Sequence, residues 1–452
     1  MNRAVQLPLD LSELSFRATG DCLVRRSVLP SGVRILSEQV PGARSATIGY
    51  WVAVGSRDEA AEGYGSTHFL EHLLFKGTTS RTALDIAVSF DSVGGENNAL
   101  TAKEHTCYYA KVRDRDLPMA VEVLSDMFTS SLLDTQEFEN ERGVILEELA
   151  MADDDPSDVA SERFFEAVFG SHPLGRPIGG SPETIKAVTR DAVWKHYRAN
   201  YRPNDLVITV AGAVDHDQLV EHVEKSLRSA GWELDVPAKP VERRDASHTV
   251  IDRGAALTVV ERPLEQANML LGVPSIAAAD DRRSVMAVLN SVLGSGMSSR
   301  LFQEIREKRG LAYSVYSYSP AYSDAGIFGL YAGCSPSKAP QVAELLLGEF
   351  RRMAEHGITV AERERAIGQL SGASALALED SDTRMSRLGR AELTLGEFVD
   401  LDEALRRLDL VTRDDVAALA QDLVSRPLSL SVVGAVSEGD FAGFTAEPAA
   451  VG

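Results

Sequence analysis

The sequence predicts an α+β fold of two homologous modules of about 220 residues each, every module a mixed, mostly antiparallel sheet with helices packed on it. Two observations predict it. Strand-like and helix-like runs follow one another in a mixed order, not in regular strand–helix alternation, and no G-x-G-x-x-G follows a strand. The second half also repeats the first. Val188-Thr189-Arg190-Asp191 returns as Val411-Thr412-Arg413-Asp414, and Val210-Ala211-Gly212-Ala213-Val214 returns as Val432-Val433-Gly434-Ala435-Val436. Carrying that displacement along the chain pairs Glu141-Arg142 with Glu364-Arg365 and Glu148 with Ser371. Ser291 and Ser295 fall near the positions opposite His68 and His72.

In chain order, strands are expected near Ile35-Leu36 and over 46–54, where apolar, aromatic and β-branched residues gather. A helix should start at about Gly65, and a second should cover 83–93. A strand follows over 106–112, then helices over 117–130 and 135–151. The alternating run 206–211, after Pro203, closes the first sheet, and 428–431 plays that part in the second. The segment 230–246, with Pro237, Pro240 and several charges, is the expected linker between a module at 1–229 and one at 247–452. The run Asp153-Asp154-Asp155-Pro156-Ser157-Asp158 lacks the spaced ligands of an EF-hand and reads as a solvated loop. The tail after Phe444 is expected to fray.

The chemistry is carried by His68-Phe69-Leu70-Glu71-His72, an H-x-x-E-H sequence. Histidines at i and i+4 share one helical face and can hold one metal ion. The carboxylate between them is placed to act on a water at that ion. The bland reading is a surface helix with two histidines and a glutamate. The flanks Phe69, Leu70, Leu73, Leu74 and Phe75 argue for a half-buried helix, in which polar groups need partners. A catalytic zinc site takes three protein ligands and keeps one position open. In the expected helix from 135, Glu141 and Glu148 are two turns apart on one face, whereas Glu147 points about 100° away from Glu148. Glu141 and Glu148 can therefore face one site together; Glu148 is assigned as third ligand and Glu141 as a supporting carboxylate, an assignment that rests on this geometry together with the resemblance described next, with Glu147 as the alternative.

These residues carry a resemblance. His68 to Thr78 (H-F-L-E-H-L-L-F-K-G-T), followed downstream by Glu141 and Glu148, resembles the pitrilysin/insulinase family of zinc metallopeptidases, including bacterial homologues of the mitochondrial processing peptidase. Gly94 to Thr101 and Glu104 to Tyr109 resemble that family's active-site edge strand, and Leu293 to Arg306 with Gly310 to Ser317 match its second half. The resemblance implies two modules facing each other across a cleft. It implies one Zn²⁺ per chain on His68, His72 and Glu148, with Glu71 as general base and Glu141 in support. Asn98 and Ala99 would lie on the strand that receives substrate backbone. Arg306 and Tyr313 would bind substrate and stabilise the oxyanion. By themselves, Arg306 reads as a charged helix residue and Tyr313 as a core aromatic. The implied partners are a peptide substrate and a second chain, in a homodimer or a heterodimer with a related chain.

Composition sets bounds. A net charge of −21 argues against nucleic-acid binding. Cys22, Cys107 and Cys334 are scattered and without C-x-x-C spacing, which suits a reducing compartment. No run of 18 apolar residues suggests a membrane span, and the first twenty residues do not read as a signal peptide. A bacterial cytoplasmic protein is expected. Two other functions compete with a zinc endopeptidase. One is a non-catalytic, peptide-binding or core subunit of a hetero-oligomer, which the complete His68, Glu71, His72 and Glu148 set disfavours. The other is a lyase resembling S-ribosylhomocysteinase, a much shorter single module with the same helix motif.

Overall fold

The computed structural model describes residues 4–247 and 249–444, so the tail after Phe444 lies outside the described residues. The elements run β1 (Val5–Gln6), β2 (Glu13–Ala18), β3 (Cys22–Val28), β4 (Arg34–Gln39), β5 (Ser45–Val52), α1 (Ser66–Leu73), α2 (Ala83–Asp91), β6 (Glu96–Thr101) and β7 (Thr106–Arg113). Helices α3 (Leu117–Ser130), α4 (Thr135–Asp154), α5 (Pro156–Phe169), α6 (Pro182–Ala187) and α7 (Arg190–Asn200) lead to β8 (Val207–Gly212) and α8 (His216–Ser229). The second half runs β9 (Leu257–Glu261), β10 (Ala267–Ser275), α9 (Arg283–Gly294), β11 (Ala312–Tyr318), β12 (Gly326–Cys334), α10 (Ala339–His356) and α11 (Val360–Ala377). It ends with α12 (Ser381–Arg390), β13 (Glu397–Phe398), α13 (Leu401–Asp409), α14 (Arg413–Val424) and β14 (Ser429–Gly434).

The predicted α+β class and the repeat are both visible in the sheets. The first has seven strands in the order β2-β3-β4-β8-β5-β7-β6, the second five in the order β11-β12-β10-β14-β9. Each contains one parallel pair, β4 with β8 and β9 with β14, among antiparallel pairs. The second sheet is thus the first without β2 and β3. Strand β6 closes one edge of the first sheet, with Asn98 opposite Tyr109 and Ala99 opposite Tyr108.

Both faces of each sheet are apolar, and this decides how the chain is divided. The compact units are discontinuous: Met1–Leu149, Pro177–Arg244 and Ala375–Ala404 form one, and Ala150–Arg176, Asp245–Ser374 and Leu405–Gly452 form the other. In the first unit, Ile48, Tyr50, Phe69, Leu70, Phe90 and Phe128 share the main core. The other sheet face presents Leu36, Trp51, Val207 and Ala211, which are covered by Met385 and Leu393 from the second half of the chain. In the second unit, Val159, Phe164 and Phe169 of α5 cover Leu270, Ile327 and Val433. The division at 1–229, 230–246 and 247–452 follows the repeat, whereas the compact units exchange α5 and the α12 segment across it.

The exchanged α12 segment is tied by buried charge. Glu38 on β4, fully buried, accepts from Arg384 at 2.5 Å and Arg387 at 2.9 Å. Glu392, also fully buried, lies 3.3 Å from Arg26, 3.4 Å from Arg34 and 3.4 Å from Arg243. The segment expected as a linker is anchored in the first unit as far as Arg244. Arg243 donates to the carbonyls of Glu392 and Leu7, and Arg244 donates to the carbonyl of Ala53 and to Asp58.

The acidic run at 153–158 is a helix junction, which corrects the solvated-loop expectation. Asp155 caps α5 by accepting from the N–H groups of Ser157 and Asp158, and Pro156 occupies the first turn. Among the described residues no helix is long and apolar enough to cross a membrane.

Candidate metal centre

Helix α1 buries Phe69, Leu70 and Leu73 and turns His68, Glu71 and His72 to the other side. Phe69 stacks on Phe138 of α4 with ring centroids 4.6 Å apart, so the two helices are locked side by side. Arg142 lies over the Phe138 ring at 4.8 Å and donates to the carbonyls of Ile185 and Val188, which holds α4 in place. The i, i+4 pair of α1 then meets the i, i+7 pair of α4.

The donor atoms converge. Ligand atoms of His68, His72 and Glu148 all lie within 4.8 Å of one another. The two Nε2 atoms are 3.3 Å apart, and Glu148 Oε2 stands 3.6 Å from His68 Nε2 and 3.4 Å from His72 Nε2. Glu147 is outside this group. Burial, reinforced by His72, lowers the pKa of His68 and favours the neutral imidazole that a metal requires. His68 Nδ1 is buried and has no hydrogen-bond partner. Two imidazole nitrogens and a carboxylate oxygen brought this close together fit a metal cation with an open position.

Of the other residues singled out in the sequence, Glu71 and Glu141 lie around this cluster, and Asn98 and Ala99 lie on the edge strand. Glu141 is 3 % exposed, and its Oε2 lies 2.9 Å from His72 Nδ1. That contact points His72 Nε2 at the donor group. Lys76 Nζ, 2.7 Å from Glu141 Oε1, neutralises the buried carboxylate. Lys76 was missed from the sequence, although its place one turn after His72 was the available signal. Glu71 is half-buried, and its charge acts on His68. Asn98 is exposed on edge strand β6, where its Oδ1 accepts the N–H of the buried Ala99 at 2.8 Å.

Arg306 and Tyr313 lie in the second unit. Arg306 sits in a π-helical stretch, Phe302–Glu307, and Tyr313 on β11. Arg306 donates to the Tyr313 carbonyl at 2.8 Å, with its guanidinium 4.4 Å from the Tyr313 ring centroid. Tyr313 is 77 % exposed, so it is not the core aromatic its strand position suggests.

The repeat locates the counterpart of the candidate metal centre in the second unit. Arg363 donates to the carbonyls of Val411 and Asp409, as Arg142 does to those of Val188 and Ile185. Because Val188 and Val411 are repeat partners, Glu141-Arg142 corresponds to Glu362-Arg363 and Glu148 to Gln369. This corrects the pairing with Glu364-Arg365 and Ser371, since the helix is displaced by two residues relative to the Val188–Asp191 and Val411–Asp414 segments from which that pairing was taken. Ser291 Oγ donates to Gln369 Oε1 at 3.2 Å, and Gln369 Nε2 donates to the Ser295 carbonyl at 3.2 Å. Hydroxyl and amide groups thus bond directly where the first unit gathers two imidazoles and a carboxylate.

Known proteins agree with this architecture. A family model described as Insulinase (Peptidase family M16) matches residues 34–181, and one described as Peptidase M16 inactive domain matches 187–370. A protein named an uncharacterized zinc protease, from Streptomyces coelicolor, is 49 % identical over 415 residues, covering 92 % of this chain and 90 % of that one. The chain belongs to the insulinase (peptidase M16) family. Its M16 relatives include the uncharacterized zinc protease YmxG of Bacillus subtilis, 38 % identical over 411 residues and covering 91 % of this chain and 98 % of that one. The crystal structure of a protease from Helicobacter pylori has a similar fold, with a TM-score of 0.82 at 22 % identity over 93 % of this chain and 100 % of that one.

Proposed function

We propose that this M16 chain is a zinc-dependent endopeptidase that hydrolyses short or unfolded peptides. The observation that carries this reading is the convergence of His68 Nε2, His72 Nε2 and Glu148 Oε2, with Glu71 on the same helix as both histidines. His68, His72 and Glu148 would hold one Zn²⁺ per chain, and zinc when bound acidifies water and polarises a carbonyl. Glu71 supplies the base. Its carboxylate takes a proton from the water that attacks the scissile carbonyl carbon, and returns that proton to the amine nitrogen as the C–N bond breaks. Glu141 keeps His72 in its ligand orientation throughout.

The edge of β6 offers backbone groups to an extended peptide, which would add as a further strand beside Asn98 and Ala99. The proposed part of Arg306 and Tyr313 is to bind substrate and donate to the oxyanion, supported by their pairing and by the exposure of Tyr313. The proposed setting is the bacterial cytoplasm, as a homodimer or paired with a related chain, acting in peptide processing or removal.

The test pairs wild type with Glu71→Gln, reading bound zinc and cleavage of an unstructured quenched-fluorescent peptide of about 10 residues. Wild type should cleave, and the variant should keep zinc and lose at least about 10³-fold in rate. Zinc binding without cleavage by wild type would favour the non-catalytic subunit, and failure to bind zinc would end the peptidase reading.

A further inference from the structure

The helix that carries three of the active groups is short and has no cap of its own. Helix α1 spans eight residues, and its N-cap is Gly65, at φ 92°, with no side chain to accept from the first turn. The backbone donors there need acceptors from elsewhere. Glu59 provides them. Its Oε2 accepts the Gly65 N–H at 2.8 Å, and its Oε1 accepts the Thr67 N–H at 2.7 Å. The Glu59 side chain is remote from solvent, the residue being 6 % exposed. A buried carboxylate spanning two amides at the positive end of a helix is a strong, directional restraint. Thr67, which it grips, directly precedes His68.

Glu59 is itself held from the edge of the sheet. The preceding loop binds the turn between β6 and β7, with Ser56 N–H on the Ala102 carbonyl at 3.1 Å and Arg57 N–H on the Lys103 carbonyl at 3.0 Å. Arg57 also pairs with Glu104 at 2.5 Å. Asp58 accepts from the Gly55 N–H at 2.9 Å and from Arg244 at 2.5 Å. A continuous chain of bonds therefore runs from the β6–β7 turn through Glu59 to the residue before His68.

We propose that Glu59 is a positioning residue of the metal centre, fixing the first turn of α1 relative to the β6–β7 turn so that His68 and His72 meet Glu148 already assembled. This rests on the zinc reading above.

The experiment measures zinc affinity by competition with a chromophoric chelator, the visible spectrum of the Co²⁺-loaded protein, and the thermal midpoint of the metal-free protein. It compares wild type, Glu59→Gln, Glu59→Ala and the remote core variant Leu219→Ala. Glu59→Gln should weaken zinc binding about tenfold and alter the Co²⁺ spectrum, Glu59→Ala should weaken it further, and Leu219→Ala should lower the midpoint while binding zinc as wild type does. If Glu59→Ala does not fold, the isosteric Gln variant carries the test. Wild-type affinity and spectrum in Glu59→Gln, with a midpoint loss like that of Leu219→Ala, would overturn the proposal and leave the zinc reading intact. Absence of zinc binding by wild type would overturn both.

Discussion

His72 Nδ1 stands 2.9 Å from Glu141 Oε2, on a carboxylate whose other oxygen is 2.7 Å from Lys76 Nζ. A metal-bound imidazole that donates its second N–H to a carboxylate is fixed in tautomer and direction. Glu141→Gln should therefore lower zinc affinity by about 10- to 100-fold while leaving all three ligands present. Chelator competition measures this, and unchanged affinity would mean that His72 is oriented by packing alone.

The second unit should bind no metal. Ser291 and Gln369 satisfy each other at 3.2 Å, and neither offers a charged donor. Elemental analysis of the zinc-loaded protein should give one ion per chain, falling to none in His68→Ala/His72→Ala. A second ion that survives this double change would contradict the reading.

Glu392 should be the costliest single charge to remove from the first unit. Replacing it with Ala leaves Arg26, Arg34 and Arg243 without the carboxylate they surround. Uncompensated buried charge costs about 3–5 kcal/mol. Chemical denaturation of Glu392→Ala should show that loss, and the variant should expose the α12 segment to protease. A change under about 1 kcal/mol would mean that water reaches the arginines.

Mild acid should destabilise the first unit. Burial pushes His105, His196 and His216 down to about 4 from 6.5. The unfolded chain therefore takes up protons that the folded unit refuses, so the stability is complete above 6.5 and is lost as pH falls towards 4. His216, 5 % exposed, bonds Ser27 at 2.9 Å and Ser37 at 2.8 Å and should contribute on the order of 1–2 kcal/mol to this loss at pH 5. Denaturation at pH 7 and pH 5 should show a smaller drop in His216→Gln than in wild type. Equal drops would assign the acid sensitivity to other groups.

What was legible in the sequence was local. The helix at Leu117–Ser130 was expected over those residues, and the α4 helix was expected at Thr135 with its end placed three residues early, because apolar periodicity marks a helix more firmly than its last turn. The roles of Asn98, Arg306 and Tyr313 came from resemblance, since no spacing by itself separates them from ordinary surface residues, whereas the two-turn spacing of Glu141 and Glu148 put those carboxylates on one helical face.

The sequence by itself determined that His68 and His72 share a helical face, that Glu141 and Glu148 share another, and that the chain is a repeat. Each follows from a fixed period along one backbone. Tertiary structure alone decided that the two faces meet, that Gln369 and not Ser371 is the repeat counterpart of Glu148, that Glu59 caps α1 and that α5 and α12 change sides. Those outcomes join residues distant in the chain, and they follow from which apolar faces and buried charges can be satisfied together once both sheets have formed.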